Sequence, residues 1–216
     1  MRILGLIAGV LLTGYVYPLT AAAADGAARE QLFNGRDLTG WRMTGPGRFV
    51  VEDGALKTEG GMGLLVYDRA PVGNATLRVV FKVGQGRGNS GVFIRMPEPA
   101  RDPWYGVHNG YEVQIDADGD EWHATGALYS LAKTVKGSQK PNGEWNTMEI
   151  EIRGQLTTVY LNGTKVNEFR GGHTVPERKQ WYEPVRGPRP DAGHVGLQNH
   201  DSHSTVYFKE VSLVRH

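Results

Sequence analysis

The 216-residue chain contains no cysteine, so it has no disulfide framework, no thiolate metal site and no N-terminal cysteine to carry a lipid. An excess of one charge is also missing. The 24 basic and 23 acidic side chains leave a net +1, a balance that gives nucleic acid or an anionic membrane surface little to hold. No segment of ten or more residues keeps a 3.6-residue apolar period, which excludes a helical core. The apolar run at the start falls short of the roughly 20 residues that a membrane span needs.

That run, Ile3 to Val16, follows Arg2; Tyr17 and Pro18 close it, and the small-residue stretch Ala21 to Ala24 precedes Asp25. A positive start, an apolar centre and a small-residue cut site are the parts of a secretory signal peptide. The expected organisation is a signal peptide over 1–24, a short linker over 25–30 and one domain over 31–216, a comfortable size for a single core. An exported chain free of cysteine fits a bacterial periplasm or a secreted location, with no membrane attachment after cleavage. Oligomeric state stays open.

What is abundant is glycine, at 30 residues, in a chain of short alternating or β-branched runs. These are Phe49 to Val51, Ala55 to Thr58, Leu64 to Tyr67, Ala75 to Val83, Ser90 to Met96, Tyr111 to Ile115, Gly126 to Ser130, Thr147 to Arg153, Leu156 to Leu161, Lys165 to Phe169, His194 to Asn199 and Thr205 to Val214. Turn residues separate them at strand-length intervals, so the chain reads as an all-β sandwich or barrel. Gly154-Gln155 and Asn162-Gly163 close hairpins, the second with a type I′ signature. In a sandwich of two antiparallel sheets, Leu77, Val79, Phe81, Val83, Val113 and Ile115 turn inward.

Three runs carry unusual polar residues. Strand parity puts Asn89, Phe93 and Arg95 on one face of the first, Glu112, Gln114 and Asp116 on one face of the second, and Gln198 and His200 on one face of the third. A merely solvated face is indifferent to which polar residues fill it. Arg, Gln, His and carboxylate together are the set that binds sugar hydroxyls or moves protons. Two stretches are not strands: Pro97 to Gly110, with Trp104, Tyr105 and His108, and Gly171 to Gly193, with Trp181 and Tyr182. Aromatic loops beside a polar sheet suit a carbohydrate cleft, because sugar rings lay their C–H faces on Trp and Tyr.

The stretch Leu32-Phe33-Asn34-Gly35-Arg36-Asp37-Leu38-Thr39-Gly40-Trp41 resembles the opening signature of the 3-keto-disaccharide hydrolase family. Asn89 to Arg95, Tyr111 to Asp116, Thr125 to Tyr129, Gly143 to Asn146, Leu161 to Gly163 and Gly196 to His200 are similar to its later motifs, in the same order. The resemblance runs from Gln31 to the C-terminus. It implies a concanavalin A-like jelly-roll β-sandwich with a concave ligand face and an activity on glycosides oxidised at C3. Within these motifs Trp41 is expected in the core, Trp145 at the start of a buried strand, and Asn162-Gly163 in a turn.

A ketone at C3 acidifies the C2 proton, so the C1 substituent can leave by elimination through an enolate. That chemistry needs a base near C2, a donor or cation at the C3 oxygen and an acid at the leaving oxygen. Glu112 or His200 is the expected base and Arg95 the oxyanion partner. Gln114, Gln198 and Tyr129 would fix the ring, and Asn89, Asp116, Trp104, Tyr105 and His108 complete the substrate contacts. Contact with Arg95 would hold Glu112 ionised and tilt the base role toward His200.

Two alternatives use the same residues: a lectin-like carbohydrate-binding module, and a retaining glycosidase of the laminarinase type built on Glu112, Gln114 and Asp116. Carboxylates four apart on a regular strand lie about 13 Å from each other, whereas a retaining pair needs about 5 to 5.5 Å. No cofactor is called for. His108, His123, His194, His200 and His203 with Asp116, Asp118, Asp120 and Asp201 could ligate a divalent metal, but no metal motif is complete.

Overall fold

A computed structural model describes residues 28–216; the expected signal peptide lies outside the described residues. In chain order the elements are β1 (Glu30–Gln31), β2 (Trp41–Thr44), β3 (Arg48–Glu52), β4 (Ala55–Glu59), β5 (Gly63–Tyr67), β6 (Ala75–Val83), β7 (Asn89–Met96), α1 (Pro103–Asn109), β8 (Tyr111–Asp116), β9 (Asn146–Arg153), β10 (Leu156–Leu161), β11 (Thr164–Arg170), β12 (His194–Asn199) and β13 (Val206–Arg215). They form two antiparallel sheets. The larger runs β11-β10-β9-β6-β13-β4-β3, with β1 added on β13, and the smaller runs β2-β5-β12-β7-β8.

Period-two alternation makes the sandwich. In β6, Leu77, Val79, Phe81 and Val83 are buried between the sheets while Arg78 and Lys82 face outward. Val113 and Ile115 of β8 enter the same core from the opposite sheet. Trp41 also belongs to it, its indole Nε1–H donating to the Leu32 carbonyl at 2.8 Å.

The outward face of the larger sheet is an ion-paired surface, with Arg78 3.1 Å from Glu149 and 3.4 Å from Glu210. Trp145 departs from its expected place. The strand begins one residue later, at Asn146, and Trp145 lies half-buried on the outside, with Lys82 and Lys209 at 4.9 and 4.5 Å from its ring. Asn162 and Gly163 take the positive φ values of 51° and 82° that a type I′ turn demands. The Asn162 side chain also ties down the neighbouring loop, donating to Ser138 O at 2.7 Å and accepting from Thr147 N at 2.9 Å.

Four elements differ from the sequence reading. Glu30, assigned to the linker, pairs with Leu213 in β1. The short β2 was not anticipated. Gly126 to Ser130 is a compact turn with isolated bridges, because Gly126 and Ser130 adopt φ of 89° and 56° and break the extended path. The stretch from Pro103 folds into α1, too short for a periodicity test. Its start is specified locally: Asp102 accepts from Trp104 N and Tyr105 N at 3.0 Å each, and Pro103 occupies the first turn. Helix and sheet meet closely at Gly106, where a Cβ would lie 3.0 Å from the Phe93 ring.

Candidate functional site

The outward face of the smaller sheet is divided in two. At one end Leu64 and Val66 of β5 and Phe93 and Met96 of β7 form a second apolar cluster with Ala100 and Val107, partly roofed by α1. At the other end the same face turns polar. Gly91 stands opposite Gln114, Phe93 opposite Glu112 and Asn89 opposite Asp116, with β12 on the far side of β7. Asn89, Glu112, Gln114 and Gln198 line a cavity of about 430 Å³, together with Asp116, Trp104, Tyr129 and His200. Met62, Val107, His123 and Tyr182 complete the lining and had not been assigned to the site from sequence.

Three expected site residues lie elsewhere. Arg95 was placed by parity beside Glu112, but β7 carries a bulge at this point. His194 pairs with Met96 and Gly196 with Phe93, so two residues of β7 face one of β12, and Arg95 takes φ +58°. The extra residue reverses the alternation, returning Met96 to the outer face and sending Arg95 to the other side. There its guanidinium donates to Pro190 O at 3.1 Å, Asp191 O at 3.3 Å and the carbonyls of Gly154 and Leu156. Tyr105 packs against the apolar cluster. His108 stacks behind Trp104 with ring centroids 6.0 Å apart, as an i, i+4 helical pair does, and supports the wall from outside.

With Arg95 absent, no cation among the described residues answers Glu112. Glu112 is 5 % exposed, and burial pushes its pKa up to about 8, with the neighbouring Gln198 amide opposing by less. The expected lowering is therefore reversed. Gly91 makes room for this carboxyl, since a Cβ there would clash with Glu112 Oε1. Beside it Gln114 Nε2 donates to Asn89 Oδ1 at 3.2 Å and Asn89 Nδ2 to Asp116 Oδ2 at 3.1 Å. The side-chain oxygens of Gln114 and Gln198 are buried without a donor.

Two His–Asp pairs flank this floor. His200 Nδ1 lies 2.7 Å from Asp201 Oδ2. Asp201 also accepts from the backbone of His203 and Ser204 at 2.7 and 2.8 Å. Burial alone would raise Asp201, but the bonds from His200, the His203 amide and the Ser204 hydroxyl more than offset it and hold it below the usual carboxylate range. With Nδ1 engaged, Nε2 is the nitrogen left to exchange protons. The second pair, unforeseen as part of the site, has His123 Nδ1 at 2.7 Å from Asp120 Oδ1 and Nε2 at 3.1 Å from Ser130 Oγ. Its ring stands 5.2 Å from that of Tyr129, a phenol whose pKa burial pushes up to about 12. The i, i+3 spacing of Asp120 and His123 was visible in the sequence; its place at the cavity was not.

The loop over 171–193 is fastened by a second buried arginine. Arg189 donates to Gly110 O at 3.1 Å, His108 O at 3.0 Å and Val185 O at 2.6 Å, and lies over the Tyr111 ring. This brings Tyr182 to the cavity. Strand β8 pairs with β7 in unbroken register from Asn89–Asp116 to Ile94–Tyr111. Glu112 and Asp116 therefore keep the spacing of about 13 Å that a retaining pair cannot use. Among the described residues no group of three or more His, Asp or Glu has the geometry to hold a metal ion.

The sequence profile of the 3-keto-alpha-glucoside-1,2-lyase-like domain matches residues 28–214, and the chain belongs to that family. Among solved structures, a candidate glycosyl hydrolase from Parabacteroides distasonis is similar at 25% identity and TM-score 0.72, covering 88% of this chain and 100% of that one. A second from the same organism gives 25% identity and TM-score 0.70, covering 87% and 94%. The carbohydrate binding module CBM66 from Bacillus subtilis shares the fold at 15% identity and TM-score 0.56, covering 81% and 95%. No curated protein matches the chain. The β-sandwich and the family resemblance read from the sequence both hold, and the protein is carbohydrate-active.

Proposed function

We propose that the protein cleaves 3-keto-α-glucosides by elimination across C1 and C2, followed by addition of water, outside the cytoplasm as the leader-like N-terminus implies. The observation that carries this reading is Glu112: a buried carboxyl with no cation beside it, un-ionised at neutral pH, on the floor of a cavity that also holds a His–Asp pair. Ordinary glycoside hydrolysis needs an ionised carboxylate opposite an acid. Enolate chemistry instead needs a neutral donor at a carbonyl oxygen, and burial keeps a carboxylic acid neutral for that purpose.

In this mechanism Nε2 of His200 takes the C2 proton and the electron pair moves into the C3 carbonyl, whose oxygen is held by the Glu112 hydroxyl. Collapse of the enolate restores C3=O, forms C1=C2 and breaks the bond from C1 to the leaving oxygen. That oxygen takes a proton from His123, paired with Asp120. Water then adds at C1 of the resulting enone, giving its proton to His123, while His200 returns its proton to C2, so both side chains regain their starting states. Asn89, Gln114, Asp116 and Gln198 hold the ring hydroxyls, and Tyr129, protonated throughout, is a further donor.

The decisive experiment incubates the protein with a 3-keto-α-glucoside and with its unoxidised parent and follows aglycone release. Turnover of the keto form alone is expected; binding without turnover of either would leave a carbohydrate-binding module. The role of His123 is read by varying the leaving group. His123→Gln should slow an alkyl 3-keto-glucoside by about 100-fold but a nitrophenyl one by far less, because a good leaving group needs no acid.

A further inference from the structure

Three of the five large apolar side chains exposed among the described residues, Trp181, Tyr182 and Val185, fall within five positions of one loop. Trp181 is 63% exposed, yet it is not free to move. Its ring centroid is 4.7 Å from that of Trp104 and 5.8 Å from that of Tyr182. Its carbonyl accepts from His108 Nε2 at 3.0 Å and from the Arg178 guanidinium. Val185 N donates to His108 O at 3.2 Å, and Arg186 pairs with Glu183 at 2.7 Å. A large apolar ring fixed by so many contacts and still turned to water gives up the burial that would repay its ordering. A ligand that covers it restores that burial.

The position of the ring says which ligand. Trp104 and Tyr182 line the cavity, whereas Trp181 does not; it extends their aromatic surface outward from the rim. On the function proposed above, the leaving oxygen faces His123, and His123 shares an adjoining cleft with Lys179, Glu183 and Arg186 of the loop that carries Trp181, so the group beyond C1 runs toward Trp181. We propose that Trp181, backed by Trp104 and Tyr182, is the platform for the leaving group, and that it selects aglycones with a flat apolar face, a second pyranose or a phenyl ring, over small alkyl groups. Such stacking combines apolar burial with C–H and π contacts and is worth about a factor of ten in affinity.

The test compares Trp181→Ala and Trp181→Phe with the wild type on methyl, phenyl and glucosyl 3-keto-α-glucosides. For Trp181→Ala the expected result is a rise in KM of about tenfold on the phenyl and glucosyl compounds, kcat little changed, and the methyl compound within about twofold; Trp181→Phe should recover most of the loss. Equal changes on all three substrates, or none, would overturn the platform. Should the wild type cleave none of the three, the proposed function falls first. The platform is then judged by indole fluorescence on titration with the unoxidised phenyl and methyl glucosides: quenching by phenyl alone, lost in Trp181→Ala, supports it, and quenching unchanged in the variant refutes it.

Discussion

The outward faces of the two sheets are built from the same alternation and have opposite fates. On the larger sheet Arg78 finds Glu149 and Glu210, and Lys57 finds Glu52 at 2.9 Å, all partly exposed. On the smaller sheet Glu112 has no such partner; helix α1 and the two loops wall off the face, and burial answers the charge by raising the pKa. A covered sheet face leaves its acid unpaired and un-ionised, and an open one lets its charges pair in solvent. The difference comes from what lies above the strands.

Replacing His200 by Asn tests the covered face most severely: turnover of a 3-keto-glucoside should fall by about 100-fold or more, roughly 2.7 kcal/mol of barrier, with the fold intact by circular dichroism. Retained turnover would remove His200 from the base role.

Arg95→Met should act on the fold. Removing a buried cation that holds four carbonyls costs about 3 kcal/mol by urea denaturation, with little loss of turnover in protein that remains folded. A variant that is stable but inactive would return Arg95 to the chemistry.

Glu112→Gln sharpens the contrast through pH. The raised pKa means the folded state holds a proton that the unfolded state releases near the ordinary value of 4.5. This contribution to stability is fully present below that value and is lost as pH rises through about 8. The amide cannot ionise, so at pH 9 the variant should be more stable than the wild type by on the order of 1 to 3 kcal/mol. In the wild type kcat/KM should decline above pH 8 as the neutral donor is lost. The variant should lose this alkaline limb; an unchanged limb assigns it to another group.

On the open face the effect should be smallest. Glu149→Gln removes a half-solvated partner of Arg78 and should shift stability by less than about 0.5 kcal/mol. A larger loss would mean that the two outward faces are less different than their solvation suggests.

Much of this was legible in the chain. The inward residues of β6 and β8, the turn at Asn162-Gly163 and the polar floor of Glu112, Gln114 and Gln198 follow from period-two alternation and turn chemistry, which are local. Arg95 was misplaced because a bulge changes parity without leaving a mark in the alternation, and the register that reveals it belongs to the partner strand β12. The protonation of Glu112 was misread for the same reason, its supposed cation being on the other face. His123 entered the site only because the turn over 117–132 folds back onto β8, with Tyr129 N donating to Glu112 O at 3.0 Å.

The sequence by itself determined that the chain is all-β, which residues alternate into its core and that one strand face gathers amide, carboxylate and histidine side chains, since each depends on neighbours within a few residues. Tertiary structure alone decided which polar face is covered, which histidines flank the carboxyl and whether that carboxyl is charged. Burial and electrostatic partnership are set by segments distant in sequence, Asp120 to Ser130 and the arginine-pinned loop over 171–193, whose approach no local pattern encodes.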